Sequence, residues 1–170
     1  MTVLETLYDG YGVRLLLEEA PLPDGRIKKV VRYHRADSVN VLAFHNDATV
    51  VLLREFRPLF QSWVWILPSG RADKETDIAN AAHRELREEA GLRAETMEPY
   101  FSMQYTESLG FAHHAFIARG LHEDPLPPDG DEMIEVHRMS LGEAVEKVLS
   151  STPIITPSAL TLLRYEREHR

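Results

Sequence analysis

Residues 70–92 read GRADKETDIANAAHRELREEAGL, and this stretch decides how the rest of the chain is interpreted. Asp77 is a candidate N-cap and Gly91 a candidate C-terminal stop, so the segment predicts a helix over 77–90. At about 100° per residue, one face of this helix is an apolar stripe. The stripe consists of Ile78, Ala79, Ala82, Leu86 and Ala90. The helix is therefore predicted to pack against a core.

Three glutamates of this helix lie on or beside the apolar stripe. Glu89 falls inside it, and Glu85 and Glu88 lie along its edge. Arg84 stands four residues before Glu88, within reach of an ion pair. A solvated, salt-bridged surface is the ordinary interpretation of such a helix face. A carboxylate brought toward a core, however, needs a cation or hydrogen-bond donors to offset its desolvation, which favours a functional interpretation.

The residues before the helix strengthen that interpretation. Leu67-Pro68-Ser69-Gly70 ends a predicted strand in a tight turn, which can aim backbone carbonyls and the helical carboxylates at one point. The chain has no cysteine, and no two histidines stand at ligand spacing. A cluster of oxygen ligands is typical of sites for Mg²⁺ or Mn²⁺.

Composition narrows the class of protein. Of 170 residues, 44% are apolar, which is enough for one domain of ordinary size. The net charge of −8 argues against nucleic acid as a partner, because phosphate-backbone binding needs a basic footprint. Residues 73–98 contribute −4, residues 121–135 contribute −6, and the remainder sums to +2. The acidity is therefore concentrated in two places.

The composition also limits the cellular location and the cysteine chemistry that we expect for this chain. The absence of cysteine excludes disulfides, thiolate metal sites and a cysteine nucleophile. No apolar stretch approaches the roughly 18 residues of a membrane span. Glu5 and Asp9 stand where a signal peptide would carry positive charge. We therefore expect a soluble cytoplasmic protein that does not associate with membranes.

The order of predicted elements favours an α/β fold with a mixed sheet covered on both faces. Two apolar runs, Val13–Leu17 and Ile27–Tyr33, flank a turn rich in proline and glycine and predict an N-terminal β-hairpin. Further strands are predicted at 39–44, 49–56, 63–67, 111–118 and 136–139. Besides the first helix, we predict helices over 141–150, after Ser140, and over 157–168, with Thr156 before Pro157 at the first helical position.

The helix and its preceding turn resemble the Nudix box, whose pattern is G-x5-E-x7-R-E-U-x-E-E-x-G-U, with U a bulky aliphatic residue. Eight of the nine fixed positions match, from Gly70 to Leu92. The exception is the first glutamate, where Thr76 stands between Glu75 and Asp77. On these residues the chain is identified as a member of the Nudix hydrolase family.

The resemblance extends to one branch of that family. Arg54-Glu55-Phe56-Arg57 and the segment 65–70 are similar to the ADP-ribose and nucleotide-sugar pyrophosphatases, as are the N-terminal ribbon and the ending from Val136 to Arg170. The implied fold is a Nudix-type α/β/α sandwich with a mixed β-sheet and an N-terminal β-hairpin. Residues 1–35 would form a ribbon that is a candidate dimerisation element, and residues 36–170 the hydrolase domain. The implied assembly is a homodimer.

The resemblance also implies the site. Glu85 and Glu89 would be the chief metal ligands, with the Ser69 carbonyl as a further ligand and Mg²⁺ or Mn²⁺ as the cofactor. Arg84 and Glu88 would form the supporting ion pair. In the second acidic region, Glu132 is the preferred general base or extra ligand and Asp131 the reserve. The alternative for these last two is a solvated, proline-rich loop.

Substrate binding is assigned by the same analogy. Arg57, Arg54 and Arg71 would contact substrate phosphates, although arginines on an exposed strand face are the alternative. Glu107 is a further candidate for a substrate contact, or else an ordinary loop acid. His113 and His114 are neighbours on a strand, so their rings face opposite sides and are expected to serve packing.

The implied activity is metal-dependent hydrolysis of a phosphoanhydride bond, with release of a nucleoside monophosphate. The substrate stays open among ADP-ribose, nucleotide sugars, and nucleoside di- and triphosphates, because the Ser-Pro-Gly step common in this branch is missing after the box. Thr76 is expected to weaken metal binding. Together these two departures leave an alternative, a nucleotide-binding or sensing module on the same fold that has weak catalysis or none.

Overall fold

A computed structural model describes residues 1–127 and 132–170. The N-terminal ribbon is a three-stranded antiparallel sheet of β1 (Thr2–Gly10), β2 (Val13–Pro21) and β3 (Ile27–Arg35), in the order β1-β2-β3. The predicted hairpin is therefore present as β2 and β3, and β1 adds a strand that the sequence analysis did not predict. Eight of the nine residues of β1 are exposed, so its sequence carries no pattern of burial from which a strand could be recognised.

The main sheet has seven strands. Their order is β10-β5-β4-β9-β8, with β6 paired to β5 and β7 paired to β4. The bounds are β4 (Ser38–Asn46), β5 (Thr49–Arg57), β6 (Ser62–Ile66), β7 (Ser69–Arg71), β8 (Leu92–Met103), β9 (His113–Glu123) and β10 (Ile134–Ser140). Strands β4 and β9 are parallel and the other pairs are antiparallel, so the sheet is mixed as predicted.

In the described parts of the chain, three helices cover the main sheet on both faces, which confirms the predicted α/β/α sandwich. They are α1 (Ile78–Ala90), α2 (Leu141–Ser150) and α3 (Thr156–Glu168). Alternate residues of β4 enter different cores, as the pleat of a strand requires. Val39, Val41 and Ala43 pack in the cluster that contains residues of α1, whereas Leu42 and Phe44 pack in the cluster with residues of α2 and α3.

Capping residues in the local sequence determine where the helices begin and end. The Asp77 side chain accepts a hydrogen bond from the Ala79 N–H at 3.0 Å, and Gly91 ends α1 with a positive φ of 70°. Ser140 caps α2 as predicted. The predicted start of α3 needs a correction, because Thr156 is already inside the helix. The N-cap is Ile155, whose side chain has no oxygen to accept a hydrogen bond.

Two strands of the main sheet differ from the prediction. Strand β8 was not predicted, since Pro99 interrupts it beside an irregular step in its pairing and few of its side chains are buried. Strand β9 starts later and runs longer than the predicted 111–118, and so takes in the first three residues of the segment 121–132 that was expected to be irregular. None of the helices within residues 1–127 and 132–170 is long and apolar enough to cross a membrane.

Candidate active site

A cavity of about 680 Å³ lies where β4, β7 and β9 meet helix α1 and the start of α3. Strand β7 forms its floor, because Ser69, Gly70 and Arg71 pair with Asn40, Val39 and Ser38 of β4. Charged side chains dominate the wall. The basic ones are Arg35, Arg57, Arg71, Lys74 and Arg84, and the acidic ones are Asp73, Glu85 and Glu132. An acidic protein thus presents a mostly cationic cleft beside the carboxylates of α1.

Two glutamates of α1 are buried here: Glu85 lines this cavity, and Glu89 contacts Ser69, which also lines it. Glu85 and Glu89 are each 7% exposed, which agrees with the position of Glu89 in the apolar stripe. The Ser69 N–H donates to Glu89 Oε2 at 2.7 Å, and Arg84 Nη1 lies 2.9 Å from Glu85 Oε1. The turn before the helix and the helix itself therefore meet at these carboxylates, as the sequence predicted.

Burial disfavours the ionised form of these two carboxylates. It raises the pKa of Glu85 to about 7 and that of Glu89 well above the ordinary 4.5. The charge of Glu132 contributes to both increases, while Arg84 opposes the increase for Glu85 and the Ser69 N–H opposes that for Glu89. Such a cluster gains from a cation that neutralises it, since ionised buried carboxylates are otherwise disfavoured.

Arg84 connects the box helix to the loop before it. Its guanidinium contacts Glu88 and Glu75, each at 2.6 Å, and donates to the Arg71 carbonyl at 2.8 Å. The predicted Arg84–Glu88 ion pair is therefore present. Of the two acids beside Thr76, Glu75 contacts Arg84, while Asp77 is occupied as the helix cap.

Gly70 has a steric reason to be glycine. A Cβ at this position would fall on the carboxylate of Glu85. The backbone of β7 can therefore approach α1 only without a side chain at residue 70, and this close approach sets the position of Glu85 at the cavity.

The donor set fits a divalent metal ion. Buried carboxylate oxygens are hard ligands of the kind that Mg²⁺ and Mn²⁺ prefer. Within residues 1–127 and 132–170, no three His, Asp or Glu side chains are gathered closely enough to enclose an ion in their present rotamers. Glu85 is turned to Arg84 and Glu89 to the Ser69 N–H instead. A metal ion would compete with Arg84 and the Ser69 N–H for these carboxylate oxygens.

The other predicted site residues fall into three groups. Arg57, Arg71 and Glu132 line the cavity. Arg54 and Glu107 are not among the described residues that line it. Arg54 pairs with Glu135 at 3.1 Å and Glu107 with Lys28 at 3.2 Å, outside the cleft. Asp131 lies outside the described residues.

The sequence analysis missed Glu55, although it quoted the motif that contains it. Glu55 is 3% exposed, and burial raises its pKa to about 7. Arg57 Nη2 lies 2.8 Å from its Oε2, and the charge of Glu132 acts on it. The available signal was strand alternation, because Glu55 shares a face of β5 with the buried Val51 and Leu53.

A second group was missed because its members are distant in the sequence. Arg35 ends β3, Ser38 begins β4, Tyr105 follows β8 and His113 begins β9, and all four line the cavity. His113 is buried, as expected, but at the cavity wall. His114 contacts Ser102 and Asp37, at 2.7 and 3.0 Å.

Comparisons with known proteins agree with this geometry. The chain is 29% identical over 149 residues to a methanol dehydrogenase activator of Bacillus methanolicus, covering 85% of this chain and 80% of that protein. It is 30% identical over 151 residues to an ADP-ribose pyrophosphatase of Bacillus subtilis, covering 86% and 80%. The fold is similar to that of an ADP compounds hydrolase, with a TM-score of 0.76 at 21% identity, over 99% of this chain and 94% of the other.

A match to the NUDIX domain family extends over residues 34–157 and contains the whole of the box helix. That span runs from the end of β3 to the start of α3 and includes every described residue proposed here as a metal ligand. The buried Glu85 and Glu89, the Arg84 network and the glycine at residue 70 occupy the box positions of this family. The chain therefore belongs to the NUDIX domain family and is a hydrolase that acts on pyrophosphate bonds.

Proposed function

We propose that this chain uses Mg²⁺ or Mn²⁺ to hydrolyse the pyrophosphate bond of a nucleoside diphosphate derivative, with release of a nucleoside monophosphate. The observation that carries the proposal is the pair of buried carboxylates, Glu85 at a cavity with five basic side chains and Glu89 bonded to the Ser69 N–H of the same cavity. Carboxylates for the metal and cations for the phosphates are the two parts that pyrophosphate hydrolysis requires.

Each part has its own residues. Glu85 and Glu89 would hold the metal, with the Ser69 carbonyl as a further ligand. When bound, the metal neutralises phosphate charge and lowers the pKa of a water. Arg57 and Arg71 face the cavity, where they would bind the phosphates. Glu132 stands on the same wall and would accept the proton of the attacking water.

Within this reaction class we propose ADP-ribose or a nucleotide sugar as the substrate. Two relatives named as ADP-ribose pyrophosphatases support this choice, from Bacillus subtilis at 30% identity and from Mycobacterium tuberculosis at 28%. The cavity volume of about 680 Å³ suits a ligand of this size.

A substrate panel tests the proposal. ADP-ribose, UDP-glucose, ADP and ATP are each incubated with the protein and Mg²⁺, and the nucleoside monophosphate is measured by chromatography. We expect the fastest release from ADP-ribose or UDP-glucose, and none after EDTA. Tight nucleotide binding without turnover under any divalent metal would instead establish the sensing module.

We also propose a homodimer formed through the ribbon of residues 1–35. The support is the exposure of apolar side chains on β1, where Val3, Leu4 and Leu7 are 53%, 42% and 45% exposed. Apolar patches of this kind on a ribbon are typical of protein contacts. Cytoplasmic location and the absence of nucleic-acid binding stay predictions from the sequence.

A further inference from the structure

Arg35 differs from the other arginines of the cavity in having no carboxylate partner. Arg57 pairs with Glu55, Arg71 with Asp73, and Arg84 with three glutamates. Arg35 makes no ion pair with any carboxylate in the described parts of the chain, 1–127 and 132–170. Its guanidinium stacks on the Phe111 ring, 3.9 Å from the centroid, and the charge of Asp37 acts on it without a direct ion pair.

His113 presents a second unused group at the same wall. The residue is only 3% exposed, and its Nδ1 lies 2.8 Å from Ser38 Oγ, while its Nε2 has no hydrogen-bond partner among the described residues. In the tautomer in which Ser38 Oγ donates to Nδ1, the ring proton of His113 lies on Nε2. A buried N–H without an acceptor is costly unless a ligand supplies one.

The charge state of this histidine agrees with a donor role. Burial, with smaller contributions from the charges of His114 and Arg35, lowers the pKa of His113 to about 4. The imidazole is therefore neutral near pH 7. It offers a hydrogen bond without adding a second buried charge to that of Arg35.

This group lies away from the metal-binding carboxylates. Strand β7, which contacts Glu85 and Glu89, is separated from His113 by strand β4, since Ser38 pairs with Arg71 on one side and His113 on the other. Two strand spacings amount to about 10 Å. With the pyrophosphate at the carboxylates, a different group of the substrate would face His113 on β9.

We propose that Arg35, Tyr105 and His113 form a subsite for an additional anionic group of the substrate, beyond the scissile pyrophosphate. The inference rests on the proposed function for the location of the pyrophosphate. The chemistry recognised is a cluster of anionic oxygens, as in a phosphomonoester or a carboxylate, which matches an unpaired guanidinium and a neutral N–H donor. The preferred substrate is thus a nucleoside diphosphate derivative whose linked sugar carries its own negative charge.

Two matched pairs of compounds test the subsite by calorimetry with Mg²⁺ in a Glu132→Gln background, where loss of the proposed base slows turnover and the metal still positions the pyrophosphate. ADP-ribose is compared with ADP-ribose 1″-phosphate, and UDP-glucose with UDP-glucuronate. We expect the anionic member of at least one pair to bind about tenfold more tightly, on the scale of a charge-assisted hydrogen bond. The pair that shows the gain identifies phosphate or carboxylate as the source.

Substitutions test whether the tighter binding of the anionic compound depends on Arg35 and His113. Arg35→Met keeps the stem on Phe111 and removes the charge, so the gain should disappear. Arg26→Met removes an equal charge on the exposed turn before β3 and should leave the gain intact. His113→Phe keeps a ring and removes the donor, so part of the gain should be lost. If His113→Phe does not fold, as judged by circular dichroism, Arg35→Met alone decides.

The two possible failures are distinguishable. Equal affinities within both pairs, or a gain that survives Arg35→Met, would overturn the subsite. Turnover of neutral and anionic substrates at the same rate leads to the same conclusion while the proposed function stands. A gain that Arg35→Met abolishes, in a protein without turnover, would support the subsite and remove the proposed function.

Discussion

At the scale of single residues, the site is defined by two carboxylates that are buried, where the ionised form of a carboxylate is unfavourable. Glu85 and Glu89 are buried on the face of α1 that meets the sheet, and the contacts shown for them are with Arg84 and the Ser69 N–H. An amphipathic helix would ordinarily place apolar side chains there. A bound cation would offset the cost of burying these carboxylates, which gives a physical reason for their position.

The first prediction concerns stability without metal. Because burial raises the pKa of Glu89 well above 4.5, the folded protein retains a proton that the unfolded chain has released, so stability should fall as the pH rises above about 4.5. Glu89→Gln removes this penalty and keeps an oxygen for the Ser69 N–H. In EDTA at pH 8 its Tm should exceed that of the wild type by several degrees, and the difference should shrink at pH 5.

The same variant should lose the rise in Tm that Mg²⁺ gives the wild type. Glu146→Gln, at an exposed position of α2, serves as the control and should behave as the wild type at both pH values. A Glu89→Gln protein that is less stable in EDTA at pH 8 would contradict the electrostatic account.

The second prediction uses the close approach at residue 70. In Gly70→Ala the new methyl group would overlap the Glu85 carboxylate, which must move away from the cavity. We expect activity with Mg²⁺ to fall by about a hundredfold or more, on the scale of a lost catalytic group. Gly142→Ala, in α2, meets no atom within 4 Å and should keep full activity with equal or greater stability.

Initial rates at saturating Mg²⁺ and thermal unfolding of both variants give the comparison. Similar rates for Gly70→Ala and Gly142→Ala would show that the position of Glu85 does not matter for catalysis.

At the scale of elements, the loop before α1 departs from the box pattern but keeps a contact. Glu75, one residue before Thr76, contacts Arg84 at 2.6 Å. The third prediction is therefore that Glu75→Gln weakens the orientation of Arg84 and raises the Mg²⁺ concentration needed for half-maximal activity by about tenfold, on the scale of a residue supporting a metal ligand.

Adding Thr76→Glu to Glu75→Gln should restore most of that loss, because it returns a carboxylate to the box position. The single and double variants are compared in Mg²⁺ titrations of activity. No rescue in the double variant, together with a full effect of the single one, would mean that only Glu75 can reach Arg84.

The elements show what local sequence can and cannot specify. Helix α1 was predicted closely because its cap, stripe and glycine stop are all local signals. Strands β1 and β8 were missed because few of their side chains are buried, so alternation is weak. The box carboxylates followed from spacing within one helix. Arg35, Ser38 and His113 could not be predicted as a group, because pairing across β4 and the end of β3 brings them together.

At the scale of the whole molecule, the ribbon is the part with the least contact to the sandwich core. The fourth prediction is that the wild type sediments as a dimer and that changing Leu4 and Leu7 to serine shifts it toward monomer at micromolar concentration, because apolar area is removed. Val136→Ser, at a half-exposed position of β10, should not change the sedimentation coefficient. A monomeric wild type over the same concentrations would remove the dimer.

The distribution of charge over the whole molecule is related to the residues of the cavity. A chain of net charge −8 gathers five basic side chains around one cavity and buries two carboxylates beside them. The first arrangement suits phosphates and the second a divalent cation. The central claim of the account is that these two sets act together on one pyrophosphate.

The most direct test is the rate of AMP formation from ADP-ribose with Mg²⁺, measured for the wild type, Glu89→Gln and Glu146→Gln. The account predicts that Glu89→Gln is slower by about a hundredfold or more while Glu146→Gln matches the wild type. Equal rates for Glu89→Gln and the wild type would contradict the claim that the buried carboxylates of α1 hold the catalytic metal.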